Sequence, residues 1–218
     1  VSAVPIVFDL DGTLIHSAPD IRCGVNEVMA MRGLPFFPMD EVIAMIGNGL
    51  PALCERVRVA RGLAESEKER LFAEISIAYS AVNGIESEVY PGVADALNRL
   101  AARGHALGVC TNKPRGPALD VLTRFDLAEQ MSVIVGGDDL SVKKPDPAPL
   151  AAAFDSLGGR GIFVGDSEID ALTATNLGVP FILFTEGYRK SPAEALKKAA
   201  AFSAFDDLPR LIETQCFG

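Results

Sequence analysis

No stretch of this 218-residue chain approaches the roughly eighteen consecutive apolar residues that a membrane span requires, so no segment reads as a spanning helix. Basic residues are also scarce: 20 Lys and Arg face 29 Asp and Glu, giving a formal net charge of -9. They form no cluster able to displace phosphate counterions, which excludes a nucleic-acid partner. The four cysteines, Cys23, Cys54, Cys110 and Cys216, lie too far apart for a metal knuckle or a dense disulfide framework and read as free thiols. Before the first strand-like run, Val4 to Phe8, there is no room for a basic segment, an apolar stretch and a cleavage site. The expectation is a cytoplasmic protein without a membrane partner. Internal repeats are absent too, and the alanine-rich pieces near Ala151 and Ala199 read as ordinary helix or loop.

What is present suits one well-buried core with a small accessory domain: 49% hydrophobic and 22% charged residues. From Glu88 onward short apolar runs alternate with amphipathic stretches, the pattern of a parallel sheet wrapped by helices. The expected strands are Val4 to Phe8, Ala106 to Thr111, Ser132 to Val135, Ile162 to Gly165 and Phe181 to Phe184, with His105 beginning the second. Between the first two, Val93 to Arg103 reads as a helix with Val93, Leu97, Leu100 and Ala101 on one face and Gly104 as its stop. The segment from about Ser17 to Asn83 has helical patterns broken by glycine and proline and no convincing strand. The expected fold class is therefore α/β. Residues 1–16 and 84–218 form a discontinuous core, and residues 17–83 a small all-helical cap inserted after the first strand. Narrow connections around Leu14 to Pro19 and Gly84 to Gly92 suit a hinge.

Asp9 and Asp11 end the first strand as Asp9-Leu10-Asp11-Gly12-Thr13. In an open α/β sheet this carboxyl edge is where ligands bind. Two carboxylates so close call for a cation between them, and hard oxygen ligands suit a divalent ion such as magnesium. Alone, the same residues also read as a solvated turn in which Asp11-Gly12 reverses the chain. Three further features lie where strand edges can converge: Cys110-Thr111-Asn112-Lys113, Lys143-Lys144-Pro145-Asp146-Pro147, and Gly165-Asp166-Ser167-Glu168-Ile169-Asp170.

In these four features the chain resembles the haloacid dehalogenase superfamily, whose motifs appear here as Asp9-x-Asp11, Thr111, Lys144 and Gly165-Asp166-x-x-x-Asp170. The resemblance covers nearly the whole chain and implies a Rossmann-like core with a helical cap. It implies that Asp9 attacks phosphorus and that Asp11 protonates the leaving alkoxide and later activates water. Magnesium (Mg2+) would be held by Asp9, Asp166 and the backbone carbonyl of Asp11, with Asp170 behind them. Thr111 would donate to a phosphoryl oxygen and Lys144 would neutralise its charge.

Asp11 separates the chain from dehalogenases, which have no alkoxide to protonate, and Thr13 follows the form common among phosphatases. Lys68, the only lysine of the insertion, sits in a run of charges that reads as a solvated helix face, unlike the Schiff-base lysine of phosphonate-cleaving relatives. Further likeness is to bacterial phosphoglycolate phosphatases, through Ser17-Ala18-Pro19-Asp20, Ile46-Gly47-Asn48-Gly49, Tyr90-Pro91-Gly92, Thr111-Asn112-Lys113-Pro114 and Gly136-Gly137-Asp138. That likeness implies a small phosphorylated metabolite as substrate, phosphoglycolate first, with another phosphosugar or pyrophosphate as the alternative. A phosphomutase, or a silent binding module of the same fold, would be other outcomes. Thr111, Asn112, Lys113 and the cap loop Gly47, Asn48 and Gly49 are the expected substrate contacts, although the two glycines also mark an ordinary flexible connection. Lys113 and Arg189 could each meet a carboxylate, Arg189 reading more simply as surface charge. His16 reads as hinge packing, and Phe36 and Phe37 as cap core or interface. The quaternary expectation is a monomer or homodimer.

Overall fold

The computed structural model describes residues 3–214, so the expectation for Cys216 lies outside the described residues. Two compact units divide the chain: one runs to His16 and resumes at Val89, and the other is Ser17–Glu88. Among the described residues no helix is long and apolar enough to cross a membrane.

The first unit is built on a six-stranded sheet. Its strands are β1 (Ile6–Phe8), β4 (Leu107–Cys110), β5 (Val133–Val135), β6 (Ile162–Gly165), β7 (Phe181–Phe184) and β8 (Ala200–Phe202). A second, two-stranded sheet pairs β2 (Ile15–His16) with β3 (Glu88–Val89). In the large sheet the order is β5-β4-β1-β6-β7-β8, and the paired strands are parallel. Chain order thus runs outward from β1 on one side and then restarts on the other. In open sheets with such a reversal, ligands bind beyond the carboxyl ends of the strands at the point where the order turns, here β1.

Strands of such a sheet are buried on both faces, which is why they read as unbroken apolar runs. Ile6 and Phe8 of β1, Ile162 and Val164 of β6, and Ile182 and Phe184 of β7 point into one core. Val7, Phe163, Phe181 and Leu183 point into the other. Helices α5 (Val93–Ala102), α6 (Arg115–Arg124) and α9 (Leu208–Thr214) cover the first face. The opposite face is covered by α7 (Ala148–Ser156) and α8 (Glu168–Leu177). Fully buried rings such as Phe8 and Phe163 each contribute roughly 1.5–3 kcal/mol of transfer free energy.

Three expectations differ from the structure. Ala101, expected on the apolar face of α5, is exposed, and Ala96, a turn before Leu100, takes the buried place beside Val93, Leu97 and Leu100. The alanine-rich piece after Ala199 is neither helix nor loop but the edge strand β8, registered as Ile182↔Ala200 and Phe184↔Phe202. Alanine favours strands weakly, but Phe202 packs into the core and pulls its neighbours into line with β7. His105 lies two residues before β4 instead of within it, and its Nδ1 is 2.8 Å from the Val4 carbonyl oxygen. Gly104, at φ +86°, ends α5 after the cap residue Arg103, in the left-handed conformation suited to glycine.

The second unit is four helices, α1 (Ala18–Met31), α2 (Met39–Met45), α3 (Leu50–Ala60) and α4 (Lys68–Val82), around their own core. Val25, Val28 and Met29 of α1 meet Leu71, Ile75 and Tyr79 of α4 there. Gly24 allows the approach: a Cβ on it would lie 2.8 Å from the main chain of Tyr79. Phe37 belongs to this core while Phe36 is 63% exposed, which separates two rings that look alike in the sequence. Asp20, fully buried, accepts from the N–H groups of Gly84 and Glu86, each at 2.7 Å, and from the Ser87 hydroxyl.

Candidate active site

Three neighbouring strands deliver three of the expected residues. Phe8 is in register with Val109 of β4 and with Val164 of β6. Asp9 follows Phe8, while Thr111 and Asp166 stand two positions beyond Val109 and Val164. Neighbouring strands lie about 4.8 Å apart, so these residues emerge side by side at one edge. The ladder continues past the strand ends: Asp9 N–H donates to the Val164 carbonyl at 2.9 Å and Thr111 N–H to that of Val135 at 3.0 Å.

Carboxylate oxygens of Asp9, Asp166 and Asp170 lie within 4.8 Å of one another, and all three residues are buried. Lys144 enters this group with its Nζ 2.8 Å from Asp9 Oδ1 and 2.6 Å from Asp170 Oδ1. Asp170 is held from its other side by the Ser167 N–H at 3.1 Å and the Ser167 hydroxyl at 2.6 Å, closing a reciprocal cap at the start of α8. Asp166 accepts from the Thr13 hydroxyl at 2.9 Å and from the Tyr188 N–H at 2.6 Å.

Burial, reinforced by the charge of Asp170, pushes the Asp9 carboxyl up to about 7 in spite of Lys144. Burial, then Asp170 and Asp9, drives Asp166 well above the usual carboxylate range. Burial alone would lower Lys144, but the adjoining Asp170 and Asp9 outweigh it and keep the ammonium charged. One ammonium thus faces three carboxylates, which when ionised leave two negative charges unmatched. A hard divalent cation with oxygen ligands fits that donor set and that charge. Asp170 accepts three bonds, one from Lys144 and two from Ser167, whereas Asp166 accepts two, from Thr13 and Tyr188, and keeps a lone pair on each oxygen, so Asp9 and Asp166 are the side chains better placed to hold such an ion.

Asp11-Gly12 does reverse the chain, and the turn is part of the site. The N–H groups of Thr13, Leu14 and Ile15 all point to the Leu10 carbonyl, at 3.2, 3.0 and 3.0 Å. Gly12 has φ +90°, and a Cβ there would lie 2.6 Å from Asp166 Oδ2. Asp11 Oδ1 is 3.5 Å from the buried ammonium of Lys113. Asn112, expected as a substrate contact, places its side chain on the main chain of Lys144. Gly47, Asn48 and Gly49 belong to the helical unit, with successive φ of 113°, 61° and 80°. Arg56 donates to the carbonyls of Met45 and Gly47 at 2.6 and 3.1 Å, pinning the loop before α3.

Some functional neighbours carried no such expectation. Thr13, which follows the form common among phosphatases, also holds Asp166, and Gly187 and Tyr188 close over the same carboxylate. A Cβ on Gly187 would lie 2.3 Å from Asp166 Cβ, and glycine just beyond a strand's carboxyl end was the available signal. His16 Nδ1 sits 2.9 Å from the Tyr188 hydroxyl. Arg189 donates to the Thr185 carbonyl, and Lys68 is a 56% exposed partner of Glu65.

Residues 6–184 match the family model for haloacid dehalogenase-like hydrolases. The chain belongs to that family. It is 45% identical over 210 residues to a phosphoglycolate phosphatase of Cereibacter sphaeroides, covering 95% of this chain and 96% of that one. A phosphoglycolate phosphatase of Rhodobacter capsulatus is 39% identical, with 97% of each chain covered. The crystal structure of a predicted phosphoglycolate phosphatase from Haemophilus somnus superposes with a TM-score of 0.90 at 31% identity, covering 95% of this chain and 96% of that one. Within the family this chain is an enzyme of the phosphatase class, a phosphoric monoester hydrolase.

Proposed function

We propose that the enzyme hydrolyses 2-phosphoglycolate to glycolate and phosphate through an aspartyl-phosphate on Asp9. The observation that carries the substrate is 45% identity over nearly the full length to a phosphatase named for it. Support for the mechanism comes from the convergence of Asp9, Lys144, Asp166 and Asp170 in one buried group.

In this reading a carboxylate oxygen of Asp9 attacks phosphorus as the ester oxygen departs, and Asp11 passes its proton to the leaving alkoxide. Asp11 then removes a proton from the water that attacks phosphorus, breaking the bond to Asp9 and restoring both groups. Thr111 and Lys144 hold the phosphoryl oxygens, and Lys113 keeps Asp11 in place. Mg2+, held by Asp9, Asp166 and the Asp11 carbonyl, supplies the charge neutralisation that lets a carboxylate approach a dianionic ester. The helical unit acts as the cap, and Gly47, Asn48 and Gly49 contribute to the choice of substrate. A comparison of kcat/KM over small phosphate monoesters and pyrophosphate, with Mg2+ and with a chelator, tests this. The proposal requires phosphoglycolate to lead and the chelator to abolish turnover. A sugar phosphate or pyrophosphate ahead by tenfold or more would overturn the substrate and leave the mechanism standing.

A further inference from the structure

We propose that Asn112 is a positioning residue: its side-chain amide fixes the main chain of Lys144, and through it the ammonium beside Asp9. This rests on the role given above to Lys144. Asn112 Nδ2 donates to the Lys144 carbonyl at 3.0 Å, and the Lys144 N–H donates to Asn112 Oδ1 at 3.0 Å. Two bonds between one planar amide and one residue's main chain set both the place and the orientation of the lysine stem. The helical unit repeats the device, where Asn26 brackets the main chain of Phe37 at 2.9 and 2.8 Å.

A brace works only if it is itself anchored, and the turn after β5 does this. A Cβ on Gly137 would lie 2.3 Å from the Asn112 carbonyl oxygen, and one on Gly136 would lie 2.4 Å from the Arg115 nitrogen. Across this contact Gly137 N–H donates to the Lys113 carbonyl at 2.8 Å and Arg115 N–H to Asp138 at 2.7 Å. Asp139 closes the turn by accepting from the Gly136 N–H at 2.8 Å. The Gly136-Gly137-Asp138 sequence thereby acquires a purpose: it admits the Asn112 backbone so closely that the amide has little room to move. Lys144 is then fixed at its stem by Asn112 and at its tip by Asp170 and Asp9. With only 4% of the residue exposed, water has little access to replace a lost partner.

The test uses the full chain with Mg2+ bound and compares Asn112→Ala, Asn112→Asp and Lys144→Ala. Asn112→Ala is expected to lower kcat about ten- to a hundredfold, as a displacement near 1 Å does, while KM moves less than about threefold. Asn112→Asp keeps the acceptor for the Lys144 N–H but turns an oxygen toward the Lys144 carbonyl. It is expected to lose kcat in the same way, and it serves where the alanine variant does not fold. The ammonium resonance of 15N-labelled Lys144, assigned by its loss in Lys144→Ala, should shift or broaden in the Asn112 variants. A raised KM with unchanged kcat and an unmoved resonance would show that Asn112 contacts substrate directly, and would overturn the proposal. An inactive Lys144→Ala beside an Asn112→Ala with wild-type kcat and resonance would overturn it too. Wild-type turnover in Lys144→Ala would instead remove the reading of Lys144 on which the proposal stands.

Discussion

Lys144 and Asp170 form an ion pair closed to solvent, Nζ to Oδ1 2.6 Å, joining a loop to the first turn of α8. Removing Asp170 leaves the Lys144 ammonium with Asp9 as its remaining partner but takes away a charge-assisted hydrogen bond and the cap of α8. Asp170→Ala is therefore expected to destabilise the protein by about 2–3 kcal/mol. Asp170→Asn, which keeps an acceptor for Ser167, should lose less. Urea denaturation of the metal-free protein measures both, and a loss below about 1 kcal/mol for the alanine variant would contradict the pair's isolation.

Burial pushes Asp9 up to about 7 against an ordinary carboxyl near 3.8, so between those values the folded state binds more protons than the unfolded chain. This group's contribution to the stability of the metal-free protein must then fall as pH rises from about 4 to 7. Mg2+, which replaces the proton as the counter-charge, should raise Tm more at pH 8 than at pH 5. Thermal melts with chelator and with Mg2+ at both pH values check this, and Asp9→Asn should flatten the pH dependence. An Mg2+ effect that is equal at both pH values would place the ion elsewhere.

Much of this site was legible because the residues that carry it end strands whose boundaries are themselves clear. Ile162 to Gly165 and Phe181 to Phe184 are continuous apolar runs, and they are the strands found. Asp9, Thr111 and Asp166 follow such runs directly. What stayed hidden depends on contacts between distant parts of the chain. Asn112 and Lys144 are 32 residues apart, and Thr13 and Asp166 are 153 apart, so no local pattern announces either bond. Strand β8 was hidden for a related reason: Ala200 and Ala201 have little strand preference of their own and gain it from β7.

If Asp11 protonates the leaving oxygen, Asp11→Asn should slow phosphoryl transfer from an alkyl ester about a hundred- to ten-thousandfold. A nitrophenyl phosphate, whose leaving group needs no proton, should lose far less in the same step. Single-turnover kinetics isolates that step from dephosphorylation, which the variant also slows. Equal losses for the two leaving groups would rule out the acid role.

Replacing Gly47, Asn48 and Gly49 together by alanine should lower kcat/KM for phosphoglycolate by roughly ten- to a thousandfold, the loss of one or two hydrogen bonds to a charged group. An aryl phosphate without a carboxylate should lose much less. Successive φ of 113°, 61° and 80° make alanine strained there, so each variant's Tm must be compared with wild type. Equal losses for both substrates at unchanged Tm would mean that the loop does not read the carboxylate.

The central claim is that the phosphoryl group passes through Asp9, and it is tested most directly by trapping that intermediate. Rapid acid quenching of the Mg2+-loaded enzyme during turnover of phosphoglycolate, followed by peptide mass spectrometry, should find a phosphoryl adduct on Asp9. The adduct should persist longer in Asp11→Asn and be absent from Asp9→Asn, which should also be inactive. Phosphate on another residue, or sustained Mg2+-dependent hydrolysis by pure Asp9→Asn, would contradict the account.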